Sequence, residues 1–261
     1  MTNELGKFSA AGPAVPRFVA QQLLMKPYIW SIVNVHVHGL RRLDNLSEPF
    51  ITVANHSSHL DAVLIFGSLP RRLSRNLSAG AAADYFFNHK LKALGTRLFF
   101  NGYPVDRGGM RGHSGMSGKL LDDGVPLLIF PEGTRSRTGA MAKFKTGPAG
   151  LSIKHKVPIV PVALVGAYAA MPYGAKLPVP GRPDVHVVFG SPQRANAGET
   201  IADFSERMYR YVVELHDTTA RAYGMPTQAD FHRAVALRAA AKAQANMKAI
   251  EAKPESEPDE G

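Results

Sequence analysis

No cysteine occurs among the 261 residues. Disulfide frameworks, thiol nucleophiles and cysteine-ligated metals are therefore excluded, as a reducing compartment would allow. Long apolar runs are missing as well: none reaches the roughly 18 residues that a bilayer crossing needs. Near the N-terminus, Glu4 and Lys7 stand where a signal peptide would have its apolar core and small-residue cleavage site. Negative charge is in deficit, with 21 Asp and Glu against 31 Lys and Arg, a net charge of +10 and a pI near 9.9. Such an excess attracts anions, whether nucleic acid, an anionic membrane surface or a phosphorylated substrate. The cations are scattered, with no zinc-finger spacing, basic zipper or aromatic RNA-binding signature, so no nucleic-acid partner is expected. A membrane surface or a phosphate substrate remains.

What is present is an ordinary folded composition, 45% hydrophobic and 20% charged, on a chain long enough to bury a full core. Apolar, β-branched stretches predict strands at 33–38, 49–54, 77–83, 99–105, 125–130, 157–165 and 184–189. Pro158 and Pro161 place part of the 157–165 strand on an edge or at an irregular point. Helices are expected at 16–32 with a bend at Pro27, after Asp61, at 85–98, 117–123, within 143–155, at 201–223 and at 231–252. No repeat and no long linker interrupts the alternation. The expectation is one α/β domain with a central mixed β-sheet flanked by helices, an N-terminal amphipathic helix and C-terminal helices. Residues 1–15 read as a flexible start and 16–225 as the main domain. Residues 226–253 form a basic C-terminal helix, and 254–261 an acidic tail expected to be disordered.

Within 16–32, Phe18, Val19, Leu23, Leu24, Tyr28, Ile29, Trp30 and Ile32 give apolar bulk, with Arg17, Gln21, Gln22 and Lys26 on other sides. Such a helix either lies in a membrane interface with its tryptophan at headgroup level or packs on its own domain. A second candidate surface is the basic loop carrying Arg71, Arg72 and Arg75.

Chemistry concentrates at Asn55-His56-Ser57-Ser58-His59-Leu60-Asp61, where a buried strand hands over to a helix. On a continuous helix, His56 and Asp61 would point about 140° apart. If His56 instead lies in the turn before the helix, with Ser58 as N-cap, Asp61 in the first turn can reach the imidazole. The carboxylate would then fix the ring tautomer and raise its basicity. The alternative is that Ser58-x-x-Asp61 is only a capping box and His56 a turn residue. A metal site built from His56, His59 and Asp61, or from His36-x-His38, is weaker, because no further histidine motif completes it. Gly112-His113-Ser114-Gly115 and Gly115-Met116-Ser117-Gly118 miss the nucleophile-elbow spacing. Gly118-Lys119 lacks the preceding glycine of a phosphate loop.

After the strongest strand comes Pro131-Glu132-Gly133-Thr134-Arg135-Ser136: a glycine for a tight backbone, two hydroxyls, and an arginine able to bind phosphate bidentately. Phe144-Lys145-Thr146-Gly147 adds a cation beside a glycine, and Arg107 closes its strand. Each is generic by itself. Together, in order and spacing, they resemble the four blocks of the glycerolipid acyltransferases, typified by the 1-acylglycerol-3-phosphate acyltransferases. The NHxSxxD block matches Asn55 to Asp61. The block ending in arginine matches 102–107, PEGTRS matches Pro131 to Ser136, the VPIVPV strand matches 157–162, and FKxG matches Phe144 to Gly147.

That resemblance implies transfer of a fatty acyl group from acyl-CoA, as co-substrate and with no cofactor or metal, to a lysophosphatidic acid-like acceptor. Glycerol 3-phosphate, another lysophospholipid or a glycolipid are alternative acceptors, and a non-catalytic lipid-binding protein is a distant one. His56 is the implied general base, oriented by Asp61 and supported by Asn55 and Ser58. Arg107, Glu132, Gly133, Thr134, Arg135 and Lys145 are the implied acceptor and phosphate site, with backbone N–H groups near Gly133 as candidate oxyanion donors. The implied location is the cytoplasmic face of a membrane, peripheral or monotopic. The first segment is less hydrophobic than the spanning helices of many relatives, and the basic C-terminal helix matches no family motif.

Overall fold

A computed structural model describes residues 19–47, 49–82, 99–105 and 115–251. The expected flexible start, the helix at 85–98, Arg107 and the acidic tail lie outside them. Seven strands are present among the described residues: β1 (Asn34–His38), β2 (Ile51–Ala54), β3 (Ser78–Ala82), β4 (Tyr103–Val105), β5 (Leu127–Ile129), β6 (Ile159–Val165) and β7 (Asp184–Phe189). They form one sheet in the order β1-β7-β6-β2-β5-β3-β4. Strands β2 to β6 run parallel, while β7 pairs antiparallel with β6 and carries β1 parallel to itself. The sheet is mixed, as expected.

β2 and β6 are buried at every position. Both read as near-continuous apolar runs because helices cover both faces of the sheet, which removes any reason for alternation. Val160, Val162 and Leu164 face one core, shared with Leu64 and Ile65 of helix α2 (Asp61–Ser68). Ile159 and Ala163 face the other, shared with Ala149 and with Phe204, Met208 and Val212. Those last three recur at helical spacing along α5 (Ile201–Ala222), which Thr200 caps by accepting from the Asp203 N–H at 3.1 Å. Pro161 is central, so the edge alternative fails and the irregular one holds. Val162 faces Phe189 and Ile159 faces Gln193, which leaves one extra residue on the β7 side opposite Pro161. The missing N–H falls where the ladder is already broken, and the Pro161 carbonyl still accepts from Gly190 at 2.8 Å.

The N-terminal segment is a π-helical turn, Val19–Met25, passing into α1 (Lys26–Ile32) with Pro27 in its first turn. Trp30 does not face outward. Its ring lies so close to Gly67 of α2 that a Cβ there would come within 2.6 Å of it, so the tryptophan is a packing residue of its own domain. Val19, Leu23, Leu24 and Tyr28 are exposed. Arg71–Ser74 is a helical turn rather than a loop, and the Arg72 guanidinium donates to the carbonyls of Leu43, Asp44 and Leu46. The remaining helices are α3 (Met116–Asp122), α4 (Gly147–His155) and α6 (Gln228–Glu251). α6 starts at Gln228, between the expected limits of 226 and 231, where Thr227 and Asp230 cap it reciprocally, with Thr227 Oγ1 accepting from the Asp230 N–H and Asp230 Oδ2 from the Thr227 N–H. Gln228 anchors it to the domain by accepting from the Met141 N–H at 2.7 Å. Among the described residues, no helix is long and apolar enough to cross a membrane.

β2 and β5 are parallel neighbours. The chain leaves β2 into α2 on one face, and leaves β5 towards α4 on the other. Their carboxyl ends therefore flank a topological switch point, the position where open α/β sheets leave a crevice for ligands.

Candidate active site

β2 ends at Ala54, and Asn55 anchors the turn that succeeds it. The Asn55 side chain donates to the Leu164 carbonyl at 3.0 Å and accepts from the Leu164 N–H at 2.8 Å. A buried amide satisfied at both ends by β6 holds the start of the turn in place. The chain then reverses, and α2 begins at Asp61.

His56 precedes the helix and Asp61 opens it, so the two meet: Nδ1 lies 2.8 Å from Oδ2. The same oxygen accepts the Ser57 N–H at 2.6 Å and the Ser58 N–H at 2.8 Å. Asp61 is fully buried, and its Oδ1 has no partner among the described residues. Three donors converge on one carboxylate oxygen at the first residue of the helix. Nδ1 is thus committed to Asp61, which leaves Nε2 for a substrate.

Ser58 is not the N-cap. The helix starts three residues later, behind Leu60, and the Asp61 carboxylate that opens it reaches back to the Ser57 and Ser58 N–H groups. Ser58 Oγ instead accepts from the Leu60 N–H at 3.2 Å and donates to the Met171 carbonyl at 3.0 Å. Its support is structural, between the turn and the segment after β6.

The loop after β5 grips His56 in three ways. Glu132 Oε1 accepts the His56 backbone N–H at 2.7 Å, Ser136 N–H donates to the His56 carbonyl at 2.7 Å, and the Phe130 ring stacks on the imidazole at 4.0 Å. Glu132 Oε2 accepts the Ala142 N–H at 2.9 Å. Both oxygens of Glu132 therefore serve backbone, and a carboxylate would repel a phosphate. These bonds make it a strut for His56. Burial pushes its carboxyl up to about 7, against the pull of the two N–H donors. Sequence pattern assigns Phe130 no role; its only signal is its place immediately before the PEGTRS block.

Gly133 has φ of 77°, and Lys145 lies over it so closely that a Cβ would come within 2.7 Å of Nζ. Its N–H is taken by the Phe130 carbonyl at 3.0 Å, so that group is not a free oxyanion donor. Thr134 is exposed, and Arg135 is half-buried with its guanidinium 5.1 Å above the Tyr173 ring. His59 lies near both Arg135 and His56. Burial first, then the neighbouring Arg135 and His56, hold it below the ordinary histidine range, against the opposing pull of Asp61. Among the described residues, no three His, Asp or Glu side chains converge to hold a metal. His36 and His38 instead stack with His186 on the sheet edge.

A base with its tautomer fixed, at a crevice edged by an arginine and a lysine, can deprotonate a hydroxyl on a phosphorylated molecule. A family profile described as "Acyltransferase" matches residues 34–165. A 1-acyl-sn-glycerol-3-phosphate acyltransferase of Chlamydomonas reinhardtii is 31% identical over 171 residues, covering 64% of this chain and 49% of that protein. The human 1-acyl-sn-glycerol-3-phosphate acyltransferase alpha is 29% identical over 154 residues, covering 54% and 49%. The chain spans about half the length of these curated relatives. Among solved structures, the 1-acyl-sn-glycerophosphate (LPA) acyltransferase PlsC of Thermotoga maritima superposes with a TM-score of 0.62 at 24% identity, covering 76% of this chain and 78% of that one. At that identity, the likeness speaks to the fold.

Proposed function

The chain belongs to the acyltransferase family, and from that premise we propose that it moves a fatty acyl group from acyl-CoA to the free hydroxyl of lysophosphatidic acid, a step of phospholipid biosynthesis. The observation that carries this reading is the His56–Asp61 pair, clamped by the Pro131–Ser136 loop at the switch point of the sheet. His56 Nε2 takes the proton of the acceptor hydroxyl as its oxygen attacks the thioester carbonyl. Asp61 stabilises the imidazolium that forms. The tetrahedral intermediate then expels the thiolate of coenzyme A, and the proton on Nε2 passes to it. No acyl-enzyme is needed, since the site offers no thiol and no serine elbow. Arg135 and Lys145 hold the phosphate of the acceptor, with Arg107 as a third cation carried over from the family pattern.

Peripheral attachment to the cytoplasmic face of an anionic membrane belongs to the same reading. Each cation near such a surface contributes about 1 kcal/mol, and the exposed Val19, Leu23, Leu24 and Tyr28 present an apolar face beside Lys26. Liposome flotation at low salt tests this: the protein is expected to float with anionic vesicles and stay down with neutral ones. The acceptor is tested with labelled acyl-CoA and a panel of lysophosphatidic acid, glycerol 3-phosphate, other lysophospholipids and a lysoglycolipid. Label is expected in phosphatidic acid. Label in another product alone reassigns the acceptor.

A further inference from the structure

β6 is followed by a short helical turn, Ala167–Ala170, and then by a stretch from Met171 to Lys176 that matches none of the sequence blocks. The stretch is held at both ends. The Val179 N–H donates to the Ala170 carbonyl at 2.8 Å and the Ala175 N–H to the Pro172 carbonyl at 3.1 Å. The Met171 carbonyl accepts from Ser58 Oγ, which ties the stretch to the turn carrying His56. Between the stretch and the catalytic loops is a cavity of about 470 Å³ lined by His59, Arg135, Met171, Tyr173 and Lys176, with Gly174 and Ala175.

The charges there are unbalanced. Arg135 and Lys176 line the cavity, and no carboxylate among the described residues does. The Arg135 and Arg137 guanidiniums each lie 5.1 Å from the same Tyr173 ring. The one ring attracts both cations. Arg135 Nη1 is buried with no hydrogen-bond partner among the described residues. A buried guanidinium donor without an acceptor, a second cation across the cavity and a third on the shared ring call for an anion. The distance of the cavity from the base is set by the Ser58–Met171 bond, so an anion held there fixes the rest of its molecule relative to His56.

We propose that Lys176 binds the phosphate of the acceptor beside Arg135, and that Tyr173 is a positioning residue that holds Arg135 in place for it. This rests on the lysophosphatidic acid reading above for the identity of the ligand. Tyr173 acts through its ring. Lys176, being exposed, can be replaced without disturbing the core.

The test is calorimetric titration of the full-length protein with glycerol 3-phosphate, paired with acyl-transfer kinetics on lysophosphatidic acid. Lys176→Ala and Tyr173→Ala are each expected to weaken glycerol 3-phosphate binding about tenfold, the scale of one charge-assisted contact. Tyr173→Phe, which keeps the ring, is expected to recover most of that loss. In turnover, both alanine variants should raise KM for lysophosphatidic acid with a much smaller change in kcat. Unchanged affinity and KM in both alanine variants overturn the assignment, as does a wild-type protein that does not bind glycerol 3-phosphate. A loss in Tyr173→Phe equal to that in Tyr173→Ala overturns the positioning role. A wild type that binds glycerol 3-phosphate through these residues and does not acylate lysophosphatidic acid refutes the acceptor reading and leaves the anion site standing.

Discussion

Two histidine–aspartate pairs in this fold share one distance and differ in everything else. His56 and Asp61, beside the central strand β2, are 2.8 Å apart; so are His36 and Asp184, on the edge strand β1 and its neighbour β7. The first pair has its histidine side chain 22% exposed and its aspartate 0% exposed, against 39% and 52% for the second. Asp61 has one oxygen saturated by three donors and no access to water. Asp184, held below the ordinary carboxylate range chiefly by its bonds from His36 and Asn34, can exchange those partners for solvent. Their roles differ accordingly. A surface pair contributes little, because water competes for both members. A buried carboxylate cannot release its imidazole without losing a partner that nothing replaces. Proximity alone does not make a dyad; a buried carboxylate and a clamped ring at the mouth of a crevice do.

The comparison is broken most sharply by deleting each imidazole. His56→Ala is expected to abolish acyl transfer in a protein with unchanged circular dichroism, while His36→Ala retains wild-type turnover. Activity retained in a folded His56→Ala protein removes the proposed base. Next in size are the carboxylates. Asp61→Asn should lower kcat by about 10³–10⁴-fold, the scale of the same change in a serine-protease triad, and Asp184→Asn should leave it unchanged. Equal effects in steady-state assays would mean that burial does not separate the pairs. A smaller loss is expected at the strut. Glu132→Gln keeps one acceptor for two N–H groups, so His56 is less well held and kcat should fall about ten- to a hundredfold. A change confined to KM would put Glu132 back on the acceptor.

The smallest effect is on stability and sharpens the edge side of the comparison. His186, stacked between His36 and Tyr223, is pushed down from 6.5 to about 4, first by burial and then by the charges of His36 and His38, against the pull of Asp184. The unfolded chain takes up a proton below 6.5 that the folded one resists until about 4. Its contribution is therefore fully present above 6.5 and lost as pH falls through that window. Urea midpoints of wild type and His186→Phe, measured between about pH 7 and 4, should converge or cross as the wild type loses stability faster. Parallel curves would show that His186 does not carry the acid sensitivity.

Much of the site could be read from the chain because its main relation is local. His56 and Asp61 lie within one short turn of chain, and the strand–helix junction there is evident from hydropathy alone. The mixed sheet of an α/β domain was similarly accessible, through apolar strands such as β2 and β6 alternating with helices. What escaped depends on contacts between distant parts of the chain. Ser58 looks like a cap in sequence, but the helix begins at Asp61, and the hydroxyl bridges the Leu60 N–H and the distant Met171 carbonyl. Glu132 reads as a phosphate-site residue until its two oxygens are seen on His56 and Ala142. Trp30 reads equally as a membrane anchor or a packing residue until it meets Gly67.

The sequence by itself determined which residues are candidates for the chemistry, where strand gives way to helix, and that the net charge favours anions, because each is a matter of residue type and short spacing. Only the tertiary structure decided which histidine–aspartate pair is buried, which side chains of the PEGTRS loop grip the base, and that Tyr173 and Lys176 share a cavity with Arg135. Those outcomes depend on strands far apart in sequence becoming neighbours at one end of the sheet.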